Sequence, residues 1–197
     1  TETTVQVANI VGMQPKPGSM GKPSPMYDVD IVDDDLVPVN SGVVGEIIIR
    51  PTKNTVGIFK GYYKDEAMTA SAWEGGVYHT GDLAWRDEDG YFWYVSRKDD
   101  IIKSSGYRIG PFEIESIIME LPYVLECGVS AEAAEVRGQI VKASIVLVGG
   151  TEPSEELKKE VQAYVKTHTA PYKYPRKVVF RNELPKTTSG KIIRNAL

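Results

Sequence analysis

Near residue 100 the spacing of apolar residues in this chain changes, and no other feature of the sequence narrows the possible folds as much. Before that point, short β-branched runs at 27–32 and 46–50 are separated by Pro15-Lys16-Pro17-Gly18 and Gly21-Lys22-Pro23, the pattern of short strands joined by tight turns. Residues 81–83 and 87–95 read as strand, turn, strand with Asp89-Gly90 at the corner, and 96–100 as a polar linker. Past it, Pro111 opens a helix with Ile114, Ile117, Ile118 and Leu121 on one face, and Pro122 stops it. Strands are expected at 124–130, 140–148 and 177–180. A second helix, capped by Ser154, carries the stripe Leu157, Val161, Tyr164 and Val165. The expectation is an α+β chain: a β-rich subdomain over 1–98, then a compact α+β domain over 99–197 with helices packed on a small sheet.

A length of 197 residues accommodates one ordinary domain, or a small domain with a piece of another. With 42% hydrophobic and 25% charged residues, the chain has the composition of a soluble packed protein. A formal charge of -4 supplies no basic field, so no nucleic-acid partner is expected. Cys127 is the single cysteine and lies in the apolar run 124–129; a disulfide framework is impossible, a zinc cluster is unsupported, and a reducing compartment such as the cytoplasm fits. No apolar stretch approaches the roughly 18 residues of a membrane span. Because it starts at Thr1 and stops at Leu197, the chain is expected to be a piece of a longer protein.

Four polar stretches carry chemistry. Leu184-Pro185-Lys186-Thr187-Thr188-Ser189-Gly190-Lys191 sets a lysine at the end of a hydroxyl-rich loop, suited to bringing a positive charge to a phosphate, although taken by itself such a stretch is far more often solvated surface. Pro185 stands where a phosphate-binding Walker loop needs glycine. Tyr78-His79-Thr80-Gly81-Asp82 places a carboxylate after a glycine turn at a strand end, where it either accepts from a diol such as ribose or serves as a turn aspartate. Residues 96–100 form a charge run. Residues 103–110 offer amides, hydroxyls and Arg108 ahead of a helix, as an anion site or simply a hairpin turn. His79 and His168 are set aside as structural, Trp73, Trp85 and Trp93 as packing residues, and Asp33-Asp34-Asp35 as a solvated turn.

It is the order of these stretches that is informative. Thr1-Glu2, Gly45-Glu46, Gly61-Tyr62, 78–82, 97–100, 105–113 and 185–191 resemble the successive core motifs of the adenylate-forming superfamily of acyl-CoA synthetases, luciferases and peptide-synthetase adenylation domains. The resemblance covers essentially the whole chain. Tyr107-Arg108-Ile109-Gly110-Pro111 and Ala170-Pro171-Tyr172-Lys173-Tyr174-Pro175-Arg176-Lys177 are similar to the medium-chain acyl-CoA synthetase branch.

That resemblance implies the end of a large N-terminal domain followed by a small mobile C-terminal domain, with the rest of the large domain missing. It implies a parent that joins a small-molecule carboxylate to ATP and then passes the acyl group to coenzyme A, with Mg2+ as cofactor. Lys191 matches the catalytic lysine, Glu2 the acid that helps hold Mg2+, and Thr1 a threonine near the phosphate. Asp82 and Arg97 match the ribose-binding pair, Arg108 an arginine on the nucleotide side, and Asp99 the hinge. Ser105, Gly106 and Tyr107 match the loop along the pantetheine path; Arg137, Lys166, Tyr174, Pro175 and Arg176 match residues that bind the nucleotide end of coenzyme A. Ser96 departs from the pattern, standing where glycine is usual. The phosphate loop and acyl pocket of the family lie in the missing region, so the piece alone is expected to be inactive. The competing readings are an adenylation domain that loads a carrier protein and a noncatalytic binding module.

Overall fold

The computed structural model describes residues 2–53 and 55–197. The chain forms two compact units, Thr1–Lys98 and Asp99–Leu197.

In the first unit, β1 (Val7–Ala8) and β2 (Lys22–Pro23) make a small antiparallel pair. The strands β3 (Asp28–Val32), β4 (Gly45–Arg50), β5 (Tyr78–Arg86) and β6 (Phe92–Arg97) form an antiparallel four-stranded sheet in that order, with α1 (Glu66–Ala72) between β4 and β5 in sequence. Its core is built from Ile31, Ile47, Ile49, Tyr78 and Phe92, the first three supplied at period two by the β-branched runs. The turn after β3 is tied by Asp33, whose Oδ1 accepts from the amides of Asp35 at 3.0 Å and Val37 at 2.9 Å. α1 was not expected, because none of its residues is fully buried and it has no apolar stripe; the cap Asp65, whose side chain accepts from Met68 N, was its local sign.

In the second unit, β7 (Ile102–Ser104) and β8 (Tyr107–Ile109) form a hairpin that leads into α2 (Pro111–Ile118). β9 (Val124–Ala134) and β10 (Gly138–Leu147) pair along their length, α3 (Glu155–His168) follows, and β11 (Lys177–Phe180) runs parallel to β10. Pro111 stands at the start of α2, where its missing N–H costs nothing. Ser154 Oγ accepts from Leu157 N at 3.1 Å, capping α3. Ile114 and Ile118 of α2, with Val161 and Val165 of α3, are fully buried against the sheet residues Val129, Ala143 and Ile145. Each such side chain contributes about 1.5–3 kcal/mol. The fold is α+β.

Two expectations need correction. Residues 96–100 are not all linker: β6 runs through Arg97, Ser96 is 1% exposed, and it pairs with Leu83. Ser96 has no positive φ, so a serine serves there as well as a glycine. The stop of α2 comes before Pro122, since the helix ends at Ile118 and Leu121 packs into the core from the turn that follows.

Candidate functional site

β5 is kinked at the residues singled out for the nucleotide. Its ladder to β4 slips between Glu46 and Ile48, and at that slip Gly81 takes a φ of 72°, which only glycine adopts without strain. The amide of Gly81 donates to Glu46 Oε1 at 3.1 Å. Thr80 Oγ1 donates to Ile47 O at 2.7 Å and accepts from Asp82 N at 3.1 Å, so side chains replace the missing ladder bonds. Asp82 thus lies inside a strand, not at a strand end. Arg97 faces it across β6 and donates from Nη1 to Thr80 O at 2.6 Å and Asp82 Oδ1 at 3.2 Å. A Cβ on Gly81 would stand 2.7 Å from Arg97 Nη2, so the guanidinium occupies space that only glycine leaves open. Both partners remain partly exposed, 26% for Asp82 and 44% for Arg97.

Beneath this pair lies Glu46, a carboxylate directly before the isoleucines 47–49 of β4 and 7% exposed. It meets Lys98 Nζ at 3.1 Å and His79 Nδ1 at 3.2 Å. Burial pushes its carboxyl up, but the Lys98 ammonium and the His79 imidazole outweigh burial and hold it below the ordinary value. Lys98 also reaches Asp34 at 3.3 Å. Elsewhere in this unit Tyr62 Oη donates to Glu2 Oε1 at 3.2 Å, and Phe59 N donates to Glu2 O at 2.7 Å. Thr1 lies outside the described residues.

Asp99 is the exposed middle residue of a 3-10 turn, Lys98–Asp100. Its neighbours are both tied down, Lys98 to Glu46 and Asp100 to Arg194 at 2.8 Å. Residues 103–110 resolve as the hairpin alternative: Ser105 and Gly106 have φ of 50° and 84°, the paired positive values of a tight hairpin turn. A Cβ at Gly106 would meet nothing within 4 Å, so the turn needs glycine for its backbone alone. Arg137 Nη1 donates to Ser105 Oγ at 3.0 Å, and Ser105 N to Arg137 O at 3.2 Å. The Tyr107 ring stacks on Tyr172 with centroids 4.0 Å apart. Two residues on, the Tyr174 ring has the Arg176 guanidinium at 5.0 Å and Lys166 Nζ at 5.7 Å, and Arg176 Nη1 donates to Tyr174 Oη at 3.0 Å. Buried Pro175 accepts from Gln162 Nε2 at 3.0 Å. Six expected residues thereby enter three local contact groups, Ser105 with Arg137, Tyr107 with Tyr172, and Tyr174 with Arg176 and Lys166. Arg108 is exposed on β8 opposite Lys103.

Lys191 is exposed at the end of a small turn in which Lys186 bridges Ile192. The hydroxyls serve the turn itself: Lys191 N donates to Thr187 Oγ1 at 3.1 Å, Thr187 Oγ1 and Ser189 Oγ are 3.0 Å apart, and Thr187 N donates to Lys191 O at 2.8 Å. The side chain is thus presented to solvent on a locally braced loop.

Among the described residues no three of His, Cys, Asp or Glu are grouped to hold a metal by themselves. Burial pushes the Cys127 thiol well above its ordinary value, which leaves it inert. His79 bonds Glu46 and the Glu74 carbonyl, and His168 stacks on Tyr164 at 4.0 Å; both act structurally.

Residues 1–63 match the family model of the AMP-binding enzyme, and residues 113–191 that of the AMP-binding enzyme C-terminal domain. This chain belongs to the AMP-binding enzyme family. Acyl-coenzyme A synthetase ACSM3, mitochondrial, of Mus musculus is 50% identical over 200 residues, spanning 100% of this chain and 34% of that protein. The 4-hydroxybutyrate--CoA ligase 1 of Metallosphaera sedula is 47% identical over 195 residues, spanning 98% of this chain and 34% of that protein. The ATP-bound crystal structure of the RpMatB-BxBclM chimera B1 superposes with a TM-score of 0.86 at 33% identity, covering 99% of this chain and 38% of that one. The chain thus spans about a third of the length of the curated relatives it matches. In this AMP-binding chain, Asp82, Arg97, Asp99 and Arg108 fall between the two stretches matched by the family models. No helix among the described residues is long and apolar enough to cross a membrane. Glu46 and Arg194 were not assigned roles from sequence; a carboxylate set directly against three isoleucines was the available sign for the first.

Proposed function

We propose that the protein to which this chain belongs is an AMP-forming acyl-CoA synthetase, and that the two units form the end of its large domain and its small mobile domain. The observation that carries the coenzyme A assignment is the set of contacts Arg137–Ser105, Tyr107–Tyr172 and Tyr174 with Arg176 and Lys166, the last of which sets two cations against an aromatic face. Such a surface suits a phosphorylated adenine nucleotide, whose phosphates need cations and whose base needs a ring.

In the first half-reaction a carboxylate oxygen attacks the α-phosphorus of ATP, and the bond to pyrophosphate breaks. Lys191 brings its ammonium to the charge that develops on the phosphate oxygens, while Asp82 accepts from the ribose hydroxyls with Arg97 holding its carboxylate in place. Arg108 serves the nucleotide side as a further cation. A magnesium ion fits Glu2 as a single carboxylate ligand, since such ions take their remaining oxygens from phosphate and water; it would neutralise phosphate charge. In the second half-reaction the thiol sulfur of coenzyme A attacks the acyl carbon, and the bond to AMP breaks. Between the two steps the small domain turns about Asp99, which stands exposed between neighbours that are each tied down. The protein works in a reducing compartment, the cytoplasm in this reading.

The test is pyrophosphate release and thioester formation by the full-length parent with ATP, Mg2+, coenzyme A and a panel of short-chain, medium-chain and aromatic acids. Both products are expected with at least one acid. Pyrophosphate without thioester would replace this reading with that of a carrier-loading adenylation domain, and neither product with any acid would end it.

A further inference from the structure

Lys191 sits on a turn whose own hydrogen bonds, closed at its base by Ile193 N donating to Pro185 O at 2.9 Å, join only residues 185–193, so they shape the loop without fastening it to the domain. The Lys186–Glu126 ion pair at 2.6 Å is exposed and adds little in water. The fastening comes from the residues that follow. Ile192 and Leu197 lie over Gly128 of β9, where a Cβ would stand 2.8 Å from Leu197 Cδ1 and 3.3 Å from Ile192 Cγ2. Between them Arg194 turns inward. Its Nη2 meets Glu115 Oε2 at 2.7 Å and Oε1 at 3.0 Å, and its Nη1 meets Asp100 Oδ2 at 2.8 Å. Glu115 Oε1 also accepts from the buried amide of Val129 at 2.8 Å. Side-chain exposures of 11% for Glu115, 18% for Asp100 and 23% for Arg194 place this pair of ion pairs well out of bulk water.

Resting on the synthetase reading above, we infer that Arg194 is a positioning residue for Lys191. One planar guanidinium joins three pieces: Asp100, which directly follows the proposed hinge; α2 through Glu115; and the tail that carries Lys191. Rotation about Asp99 is thereby passed to the lysine loop as rigid motion, and the ammonium arrives at the phosphate in a fixed place. Lysine could not substitute, because a point charge lacks the fork that engages two carboxylates at once.

The experiment uses the full-length parent and follows the two half-reactions separately: pyrophosphate release with an accepted acid, and thioester formation from supplied acyl adenylate. For Arg194→Gln the kcat of adenylation is expected to fall about 100-fold, the effect of misplacing a reacting group by about 1 Å, with KM for ATP within about twofold of the parent. Thioester formation is expected to stay within about twofold, Asp100→Asn to give a smaller loss confined to the same step, and Arg194→Lys to recover only part of the rate. Arg194→Gln combined with Lys191→Ala should be no slower than Lys191→Ala alone, because the first acts through the second. Equal loss in both half-reactions, or additive losses in the double variant, would overturn the inference. Brief trypsin digestion supplies a readout free of activity: cleavage after Lys191 should speed up about tenfold in Arg194→Gln, with the cut after residue 194 lost by the substitution itself and the remaining cuts unchanged. An unmodified parent that makes no pyrophosphate sinks the synthetase reading alone, since the digestion still decides whether Arg194 holds the loop; an unchanged cut at Lys191 overturns the tether.

Discussion

The Asp82–Arg97 pair and the Lys191 loop, both proposed to serve the nucleotide, rest on opposite kinds of support. Asp82 and Arg97 face one another across two paired strands, above a nearly buried carboxylate and around a glycine that leaves no spare room. Lys191 stands exposed on a turn braced by its own hydroxyls and held to the domain by a few residues beyond it. A group that must hold the nucleotide through both half-reactions belongs in a sheet, where moving it means breaking a ladder. A group proposed to act in one half-reaction and leave for the next belongs on a small element that a domain can carry away.

The contrast breaks most visibly at Lys191. In the full-length parent, Lys191→Ala should slow pyrophosphate release about 100- to 1,000-fold, as loss of one donor to developing charge does, and leave thioester formation from supplied acyl adenylate nearly intact. Equal loss of both steps would show that the lysine is as permanently engaged as the sheet-borne pair. Next in size is Glu46→Ala, which removes the partner of Lys98, His79 and the Gly81 amide. It should cost the first unit about 2 kcal/mol, as stranded polar groups do, read by urea unfolding through the fluorescence of Trp73, Trp85 and Trp93, all of which lie in that unit. Because the Glu46 carboxyl is held below its ordinary value of 4.5, its stabilising contribution is present above that value and lost as pH falls through the lowered one. In an acid titration the unmodified chain should therefore lose its advantage over Glu46→Gln below about pH 4.5; a constant gap down to lower pH would mean that charge on Glu46 is irrelevant.

A smaller effect sharpens the same contrast between two glycines. Gly81→Ala collides with Arg97 and should raise KM for ATP about tenfold, roughly the cost of backbone strain in this region. Gly106→Ala bears similar strain with no collision in the protein, so its effect on KM for ATP should be negligible and its effect confined to coenzyme A. Matching ATP defects in the two variants would remove the distinction. The smallest change is Ser154→Ala, which takes the cap from α3, far in sequence from either site residue; it should lower the stability of the second unit by about 1 kcal/mol and leave both half-reactions unchanged.

Much of this arrangement is legible before any coordinates. The β-branched runs at 27–32 and 46–50, the corner at Asp89-Gly90, Pro111 as a helix start and the Ser154 cap each report a local preference, and each appears where that preference places it. Motif order supplied the family, since a series of short matches in a fixed sequence carries information that none of them has alone. What local preference does not encode is which side chains meet. α1 left no stripe to read because none of its residues is fully buried and only its last, Ala72, packs against the core. The position of Asp82 inside a kinked strand depends on Glu46 and Thr80 replacing ladder bonds, a substitution visible only when β4 and β5 lie together.

The same holds for the charges. The sequence alone determined that the chain would form short strands, then helices alternating with strands, and that a lysine would end a hydroxyl-rich loop, because periodicity, turn residues and caps act over a few neighbouring positions. Only the tertiary structure decided that Glu46 would sit beneath Asp82 and Arg97, that Tyr107 would stack on Tyr172, and that Arg194 would grip both Asp100 and Glu115. Those contacts join residues tens of positions apart, and a paired charge or ring in the interior is chosen by what packing brings beside it, not by its neighbours along the chain.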